Sequence, residues 1–363
     1  VRAWLRDPVG AVTTWYGRRV AAIAPRDTAV PDSPPSLTSR LLTPRTVASI
    51  AVALLIVAVA VWRAPINWSD AWTRIRHADP LLYVAALAAF YTSFLVRSIR
   101  WRLLLANAGE DRPTRAVAGP IVISFFVNCV VPAKMGDVYR AYLARMRLRV
   151  GASMALGTVI AERLLDLCVL MGLLLAAGAA VFNRRAPGAL VPYLVAGVTV
   201  CLVGVAVILT MRAGRGRRLL RLLPEAVFHR YENFRSGTVD SLKRLPYLVV
   251  LTALVWGLES TRLALVVFSL GYGGVMGPSQ FLLVALVAAL LTTIPFLPGG
   301  LGLVEAGMTG VLIAVAGVGQ QVAISITLLD RSISYGSLIV IGFMVFALTH
   351  SNGPRTFPAA ARG

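Results

Sequence analysis

The sequence predicts an all-α, polytopic helical membrane protein with about six to eight spans and two opposed re-entrant hairpins in an inverted repeat. Three observations carry that prediction. Of 363 residues, 57% are hydrophobic and only 14% charged, against about 45–50% apolar and about 25% charged in soluble domains. The uncharged stretches are as long as a bilayer requires. The basic residues gather in a few polar segments, as they do in proteins oriented by cytoplasmic arginine and lysine.

The net charge is +20, and Lys134 and Lys243 are the only lysines. In a soluble protein such a charge would indicate nucleic-acid binding. Placed along this chain it sets orientation instead, and no nucleic-acid partner is expected. The arginine, alanine, glycine and valine bias suits a GC-rich bacterial genome. Cys129, Cys168 and Cys201 each sit in an apolar run without CxxC spacing, which fits small buried hydrophobes. His77, His229 and His350 are scattered, so neither a metal site nor a cofactor is expected.

Residues 1–45 are polar, with Pro8, Pro25, Pro31, Pro34, Pro35 and Pro44, and predict a disordered cytoplasmic tail. Trp4, Leu5, Val12, Trp15 and Tyr16 would suit a surface-lying helix within it. Arg18-Arg19 precedes an apolar stretch, Val20 to Ala24, too short for a twin-arginine signal. The membrane domain is placed at 46–350 and a second cytoplasmic tail at 351–363. Within the domain, Thr46–Trp62 and Pro80–Val96 are uncharged over 17 residues each, and Ala116–Ala133 over 18. Ala155–Phe182 is a 28-residue run interrupted by charges, and Ala186–Met211 is a run of 26. Leu245–Leu270 carries Glu259 and Arg262, and Leu263–Val304 is charge-free over 42 residues, broken by Gly and Pro. Ala306–Leu329 is uncharged, and a last run, Val322–Leu348, holds Asp330 and Arg331.

Orientation follows from the polar segments. The segment 97–115 has five Arg against Glu110 and Asp111, and 134–149 has Lys134, Arg140, Arg145, Arg147 and Arg149 against Asp137. The segment 212–244 has eight Arg and Lys243 against three acids, whereas 271–280 and 315–325 carry no charge. The positive-inside rule places the first three, and both termini, in the cytoplasm. The run 116–133 then enters and leaves on one side, as a hairpin. Irregular backbone at that depth is tolerated only where protein or a water-filled cavity surrounds it. Residues 212–245 read as a basic interfacial loop, with Leu219, Leu222, Leu223, Val227, Tyr231 and Phe234 at roughly helical spacing. An ordinary basic loop is the equal alternative.

Two stretches repeat. Val131-Pro132-Ala133-Lys134-Met135-Gly136 is followed, 30 residues after its proline, by Glu162-Arg163. Leu297-Pro298-Gly299-Gly300-Leu301-Gly302 is followed, 32 residues after its proline, by Asp330-Arg331. A helix bearing Arg97 and Arg100 precedes one copy, and a helix bearing Arg262 the other. Three spans (155–182, 189–211 and 246–270) separate the copies, and an odd number inverts the second. The halves fall at about 81–182 and 246–349, the architecture of alternating access.

A charge at the bilayer centre costs about 2.5–3.5 kcal/mol on insertion scales, so charges inside the apolar runs should be paired. Glu162 and Asp166, at i and i+4, share a helix face, and Arg163 can reach either or a neighbouring helix. Glu259 and Arg262 can pair with each other. Read blandly, these are ion pairs that fix helix packing. Read functionally, both breaks meet near the midplane and the charges line a polar path. Pro132 and Pro298 break the chain, and Gly136, Gly299, Gly300 and Gly302 let backbone approach a headgroup. A helix N-terminus there offers N–H groups to an anion. Lys134 and Arg140 would add charge-assisted bonds to a phosphate.

The ordered motifs Pro132-Ala133-Lys134-Met135-Gly136-Asp137-x-x-Arg140-Ala141-Tyr142-Leu143, Glu162-Arg163-x-x-Asp166, Pro298-Gly299-Gly300-x-Gly302-x-x-Glu305-x-Gly307 and Arg331-x-x-x-Tyr335 carry a family resemblance. Over roughly residues 45–350 the chain resembles the lysylphosphatidylglycerol synthase transmembrane-region, or flippase-like, membrane proteins. The resemblance implies a multi-pass inner-membrane protein of a bacterium or archaeon. In the family's aminoacyl-phosphatidylglycerol synthases this region precedes a soluble transferase domain and is tied to moving the modified lipid. Asp137 stands where the family pattern leads one to expect Glu, which keeps the charge. The longest polar segment between spans, 212–244, is far too short for a transferase, so lysyl transfer, and enzyme activity generally, is not expected.

The expected function is therefore translocation of an anionic or modified lipid, bearing a phosphate or polyprenyl-phosphate, across the cytoplasmic membrane. The headgroup path would be Lys134, Gly136, Asp137, Arg140, Glu162, Arg163, Asp166, Pro298, Gly299, Gly300, Gly302, Glu305, Asp330, Arg331 and Tyr335. Glu162, Asp166 and Glu305 are the candidate proton carriers. No P-loop motif is present, so drive would come from an ion gradient, a partner or the lipid gradient. Membrane lipids are the expected partners, with envelope-biosynthesis proteins as further candidates. The alternatives are an intramembrane lipid-modifying enzyme and a non-transporting subunit or regulator.

Overall fold

The computed structural model describes residues 67–183, 188, 191–214, 224–294 and 297–351. The expected first tail with its surface helix, the run Thr46–Trp62, Leu219, Leu222 and Leu223, and the second tail beyond Ser351 lie outside these residues. All regular structure among the described residues is helical.

Helix α1 (Trp68–Arg76) opens on Asn67, whose side chain accepts from the Asp70 N–H. Helix α2 (Pro80–Asn107) has proline in its first turn and Asp79 as cap, accepting from Leu81 and Leu82, the roles both residue types fill best. Helices α3 (Thr114–Val130) and α4 (Met135–Leu148) flank the first break. Helices α5 (Ala152–Val181), α6 (Val191–Arg212) and α7 (Glu225–Val239) follow, then a single 3-10 turn at Asp240–Leu242. Helices α8 (Leu245–Ser269) and α9 (Pro278–Thr292) lead to a 3-10 turn at Pro298–Gly300 and α10 (Leu303–Ala316). A π-helical turn, Ser332–Ser337, joins α11 (Gln320–Arg331) to α12 (Leu338–Ser351).

Six segments among the described residues are long and apolar enough to cross a membrane. They are α2, α5, Leu194–Arg212 of α6, α8, Pro298–Ala316, and the joined Gln320–Thr349. Helices α3 and α9 are apolar but shorter.

Arg97 and Arg100, counted above with the polar segment 97–115, sit on the helix expected to bear them and not in a loop: α2 runs through them to Asn107, and both are buried. Their charges are met by acids on α5 and α8, which is what permits arginine at that depth. Residues 134–149 are likewise not a loop but chiefly α4, with Arg140 wholly buried in it.

Hydrogen bonds tie the helix ends into two sets. In one, Arg112 Nε donates to Leu148 O (2.8 Å), Asn107 Nδ2 to Ser241 O (2.9 Å), Arg235 Nε to Met211 O (2.9 Å), and Arg147 to Thr349 O. In the other, Arg74 Nη1 donates to Tyr272 Oη (2.6 Å), the Asp79 N–H to Ser269 O (2.7 Å) and the Asn67 N–H to Gln321 (3.4 Å). The start of α3 thus adjoins the end of α4. Gln280 Nε2 donates to Val315 O (2.8 Å), so the start of α9 adjoins the end of α10.

The core between α2, α3 and α8 is filled by Trp101, Leu104, Leu105, Ile121, Leu248 and Leu263, all essentially inaccessible. Helix α7 seats against α5 through glycines: a Cβ on Gly157 would lie 2.3 Å from Phe234 O, and one on Gly237 would lie 2.2 Å from Met154 O. Helix α6 leaves Leu202, Val203 and Leu209 exposed, as a lipid-facing helix does.

Candidate functional site

The two PxxxG stretches fold alike. In each, the proline is followed by two residues in the left-handed region: Ala133 (φ 63°) and Lys134 (φ 54°) in the first, Gly299 (φ 56°) and Gly300 (φ 72°) in the second. Glycine holds that conformation without penalty, whereas alanine and lysine do not. The breaks touch. Tyr335 Oη donates to Cys129 O (3.1 Å), and a Cβ on Gly299 would lie 2.5 Å from the Tyr335 ring.

The ion pairs repeat as well. Arg163 on α5 donates from Nε (2.9 Å) and Nη2 (2.6 Å) to Asp137, on the helix after the first break. Arg331 on α11 donates from Nε to Glu305 (2.7 Å), on the helix after the second break, and from Nη2 to Gly299 O (3.0 Å). Both arginines lie 26 residues after their acid. Arg100 Nη2 donates to Glu162 (2.8 Å) and Nη1 to Asp166 (2.5 Å), and Arg262 correspondingly bonds Asp330. Glu259 joins the halves, accepting from Arg97 (3.1 Å) and Arg262 (3.2 Å). Arg140 Nη2 lies 2.9 Å from Glu162, with its guanidinium 4.8 Å from the centre of the Trp101 ring.

Where the breaks meet, a cavity of about 590 Å³ opens. Lys134, Arg163, Asp166, Gly299, Asp330, Arg331 and Tyr335, all expected from the sequence, line it. Its walls are Phe90, Phe94, Phe125 and Trp256, with Val200, Val207 and Ile208 of α6 on one side. Asp137 and Glu305 hold the lining arginines. Arg140 and Glu162 do not line the cavity: both are fully buried behind it and face each other. Arg140 thus cannot reach a headgroup without a rearrangement.

The glycines serve packing and polarity in different measure. A Cβ on Gly136 would lie 1.9 Å from Ser124 O, so this residue sets how closely α3 and α4 approach. Its N–H donates to Asn128 Oδ1 (2.8 Å), and the Gly302 N–H to Glu305 Oε2 (2.6 Å). These two helix-start donors are therefore taken by the chain itself, leaving neither free for an anion. Pro298 and Gly300 are buried in the second turn.

Sequence reasoning left Arg97, Glu259, Arg262 and Asn128 off the path, yet all four line the cavity. The signal was the i, i+3 spacing of Glu259 and Arg262. Arg97 was hidden by its count among the loop arginines.

Residues 47–342 match the model of the family described as the lysylphosphatidylglycerol synthase TM region. The chain is 29% identical over 233 residues to a UPF0104 membrane protein of Methanocaldococcus jannaschii, covering 62% of this chain and 95% of that one. It is 27% identical over 309 residues to a UPF0104 membrane protein of Methanothermobacter thermautotrophicus, covering 80% of this chain and 89% of that one. It is also 28% identical over 330 residues to the glycosyltransferase AglD of Haloferax volcanii, covering 80% of this chain but only 52% of that one.

Proposed function

The chain belongs to the lysylphosphatidylglycerol synthase TM-region family of polytopic membrane proteins, and on that premise we propose that it translocates an anionic or modified lipid, with a phosphate or polyprenyl-phosphate headgroup, across the cytoplasmic membrane. One observation carries this reading: the cavity where the two breaks meet has charged residues on an otherwise apolar wall. A headgroup needs the former and the root of a lipid tail the latter. The tails would stay in the bilayer alongside α6, whose residues form one wall and whose outer face is exposed.

The pairs α3–α4 and α9–α10 would be re-entrant hairpins, entering from opposite faces as an inverted repeat. The adjoining ends of each pair support this. So do their lengths: α3 has 17 residues, α4 14, α9 15 and α10 14, each short of the roughly 20 that a span requires. Pro298–Ala316 reaches span length only by including the turn at Pro298–Gly300. The end holding Arg112, Arg147, Arg235 and Lys243 would face the cytoplasm with both termini. Movement of one half against the other would expose the cavity to each leaflet in turn.

The test is leaflet exchange of fluorescent phosphatidylglycerol in proteoliposomes. Exchange above that of protein-free vesicles, abolished by Arg331→Ala, is expected. No exchange by the wild type under an imposed proton gradient in either direction would overturn the reading. A second reading, an intramembrane lipid-modifying enzyme, is favoured only by the name of the Haloferax volcanii relative, of which the match spans about half. Chemical conversion of the lipid in the same vesicles would select it.

A further inference from the structure

The charges around the cavity nearly cancel, and the exception identifies what the cavity holds. Among the described residues of the cluster, six acids (Asp137, Glu162, Asp166, Glu259, Glu305 and Asp330) each lie within ion-pair distance of an arginine. Six arginines share them: Arg97, Arg100, Arg140, Arg163, Arg262 and Arg331. Lys134 is the seventh cation. It lines the cavity, and none of the six acids is within ion-pair distance of its ammonium. Seven cations against six acids leave one positive charge, at Lys134.

A lone ammonium in an apolar-walled cavity is costly unless something meets it. Its backbone is also held in the left-handed region, where the matching position of the other half is Gly300. Glycine would relax the turn at this position, so the ammonium can be removed there without straining the backbone. Asn128 stands on the same wall. Its amide oxygen is taken by the Gly136 N–H, which leaves its NH2 as a neutral donor toward the cavity.

We infer that the cavity is a binding site for a single negative charge, a phosphodiester headgroup, held by Lys134 with Asn128 as second donor. The arginines are already matched by acids, so a guest of one charge makes the whole cluster neutral, whereas a guest of two charges leaves it negative. This rests on the proposed lipid path but narrows it, from anionic lipids at large to phosphodiester lipids.

The experiment is binding rather than transport, so that its failure is separable from that of translocation. Purified full-length chain is titrated with short-chain phosphatidylglycerol, phosphatidic acid and phosphatidylcholine, and with inorganic phosphate as competitor, by native mass spectrometry. The wild type is expected to prefer phosphatidylglycerol to phosphatidylcholine by about tenfold or more, the scale of one charge-assisted bond. Lys134→Gly should abolish that preference while leaving thermal stability equal or raised, because glycine relaxes the turn. Lys134→Arg should restore it in part. Lys134→Asn, which also tolerates the left-handed region, provides a second charge-free variant should the glycine one fold poorly. Retention of the preference in both charge-free variants would overturn the inference. So would tighter binding of phosphatidic acid than of phosphatidylglycerol, which would mean a site for two charges. Competition by inorganic phosphate at the same concentrations as lipid would assign the site to the free ion. If binding behaves as expected and exchange is absent, the site stands and the translocation reading falls.

Discussion

A buried guanidinium must have its charge met at close range, and this cluster does so at two levels of redundancy. Among the described residues, Arg100 has two acids, Glu162 and Asp166, whereas Arg140 has only Glu162 within ion-pair distance. Glu162→Gln therefore strands Arg140 completely, while Asp166→Asn leaves Arg100 with Glu162. Removing one partner of a fully buried pair costs about 3–5 kcal/mol. Glu162→Gln should lower the melting temperature in detergent sharply and reduce folded yield, and Asp166→Asn should do so much less. Equal losses would mean that Arg140 is satisfied elsewhere. At this scale the sequence was half informative. Glu162-Arg163 and Asp330-Arg331 stood out because a charge within an apolar run is conspicuous. Their closest partners did not: Arg163 keeps Asp166 on its own helix at 3.7 Å but makes its short bonds to Asp137, 26 residues back. Which neighbour wins depends on how helices face one another, and local spacing does not encode that.

At the scale of the element, the breaks rather than the helices decide the site, and glycine decides the breaks. Gly136 and Gly119 lie on the two helices that flank the first break, in opposite situations. A Cβ on Gly136 would overlap Ser124 O at 1.9 Å, whereas nothing lies within 4 Å of one on Gly119. Gly136→Ala must push α4 off α3, and overpacking of that kind costs about 1–3 kcal/mol. Gly119→Ala should be neutral or stabilising by up to ~1 kcal/mol, since alanine is the better helix former. Thermal unfolding of the two purified variants checks this, and similar melting for both would refute the close approach. Gly299→Ala should be worse than Gly119→Ala for two reasons, its positive φ and the Tyr335 ring 2.5 Å away. The pattern PxxxG did locate both breaks. It did not reveal that Ala133 and Lys134 would take the backbone form that glycines take in the other half, because their residue types argue against it and only the surrounding packing imposes it. The helix expected to bear Arg97 and Arg100 does run through both, but the acids that meet them, on α5 and α8, were not legible in the spacing.

For the whole molecule, the two sets of bonded helix ends make topology testable. If the three segments between the copies, α5, α6 and α8, each cross the bilayer, the second hairpin must open on the face opposite the first. The ends of α3 and α4 would then share the face with Lys243, and those of α9 and α10 the face with Tyr272. Single cysteines at Arg115 and Gly151, introduced with Cys129, Cys168 and Cys201 changed to alanine, report on the first hairpin. Cysteines at Gly274 and Gln320 report on the second. A Cβ at Gly151 or Gly274 meets nothing within 4 Å, and Arg115 and Gln320 are exposed, so all four positions accept the change. An impermeant maleimide should label Gly274→Cys and Gln320→Cys in intact cells and Arg115→Cys and Gly151→Cys only after the membrane is opened. Labelling of Arg115→Cys and Gly151→Cys from opposite faces would turn the first hairpin into a span. Labelling of all four from one face would leave the hairpins but abolish the inversion, and with it the reason to expect the shared cavity to open to each leaflet in turn. The charge asymmetry argues for the first outcome. The end around Arg112, Arg147, Arg235 and Lys243 is rich in cations, whereas at the other end Arg74 and Arg76 are balanced by Asp70 and Asp79, and arginine and lysine in short loops are retained on the cytoplasmic side.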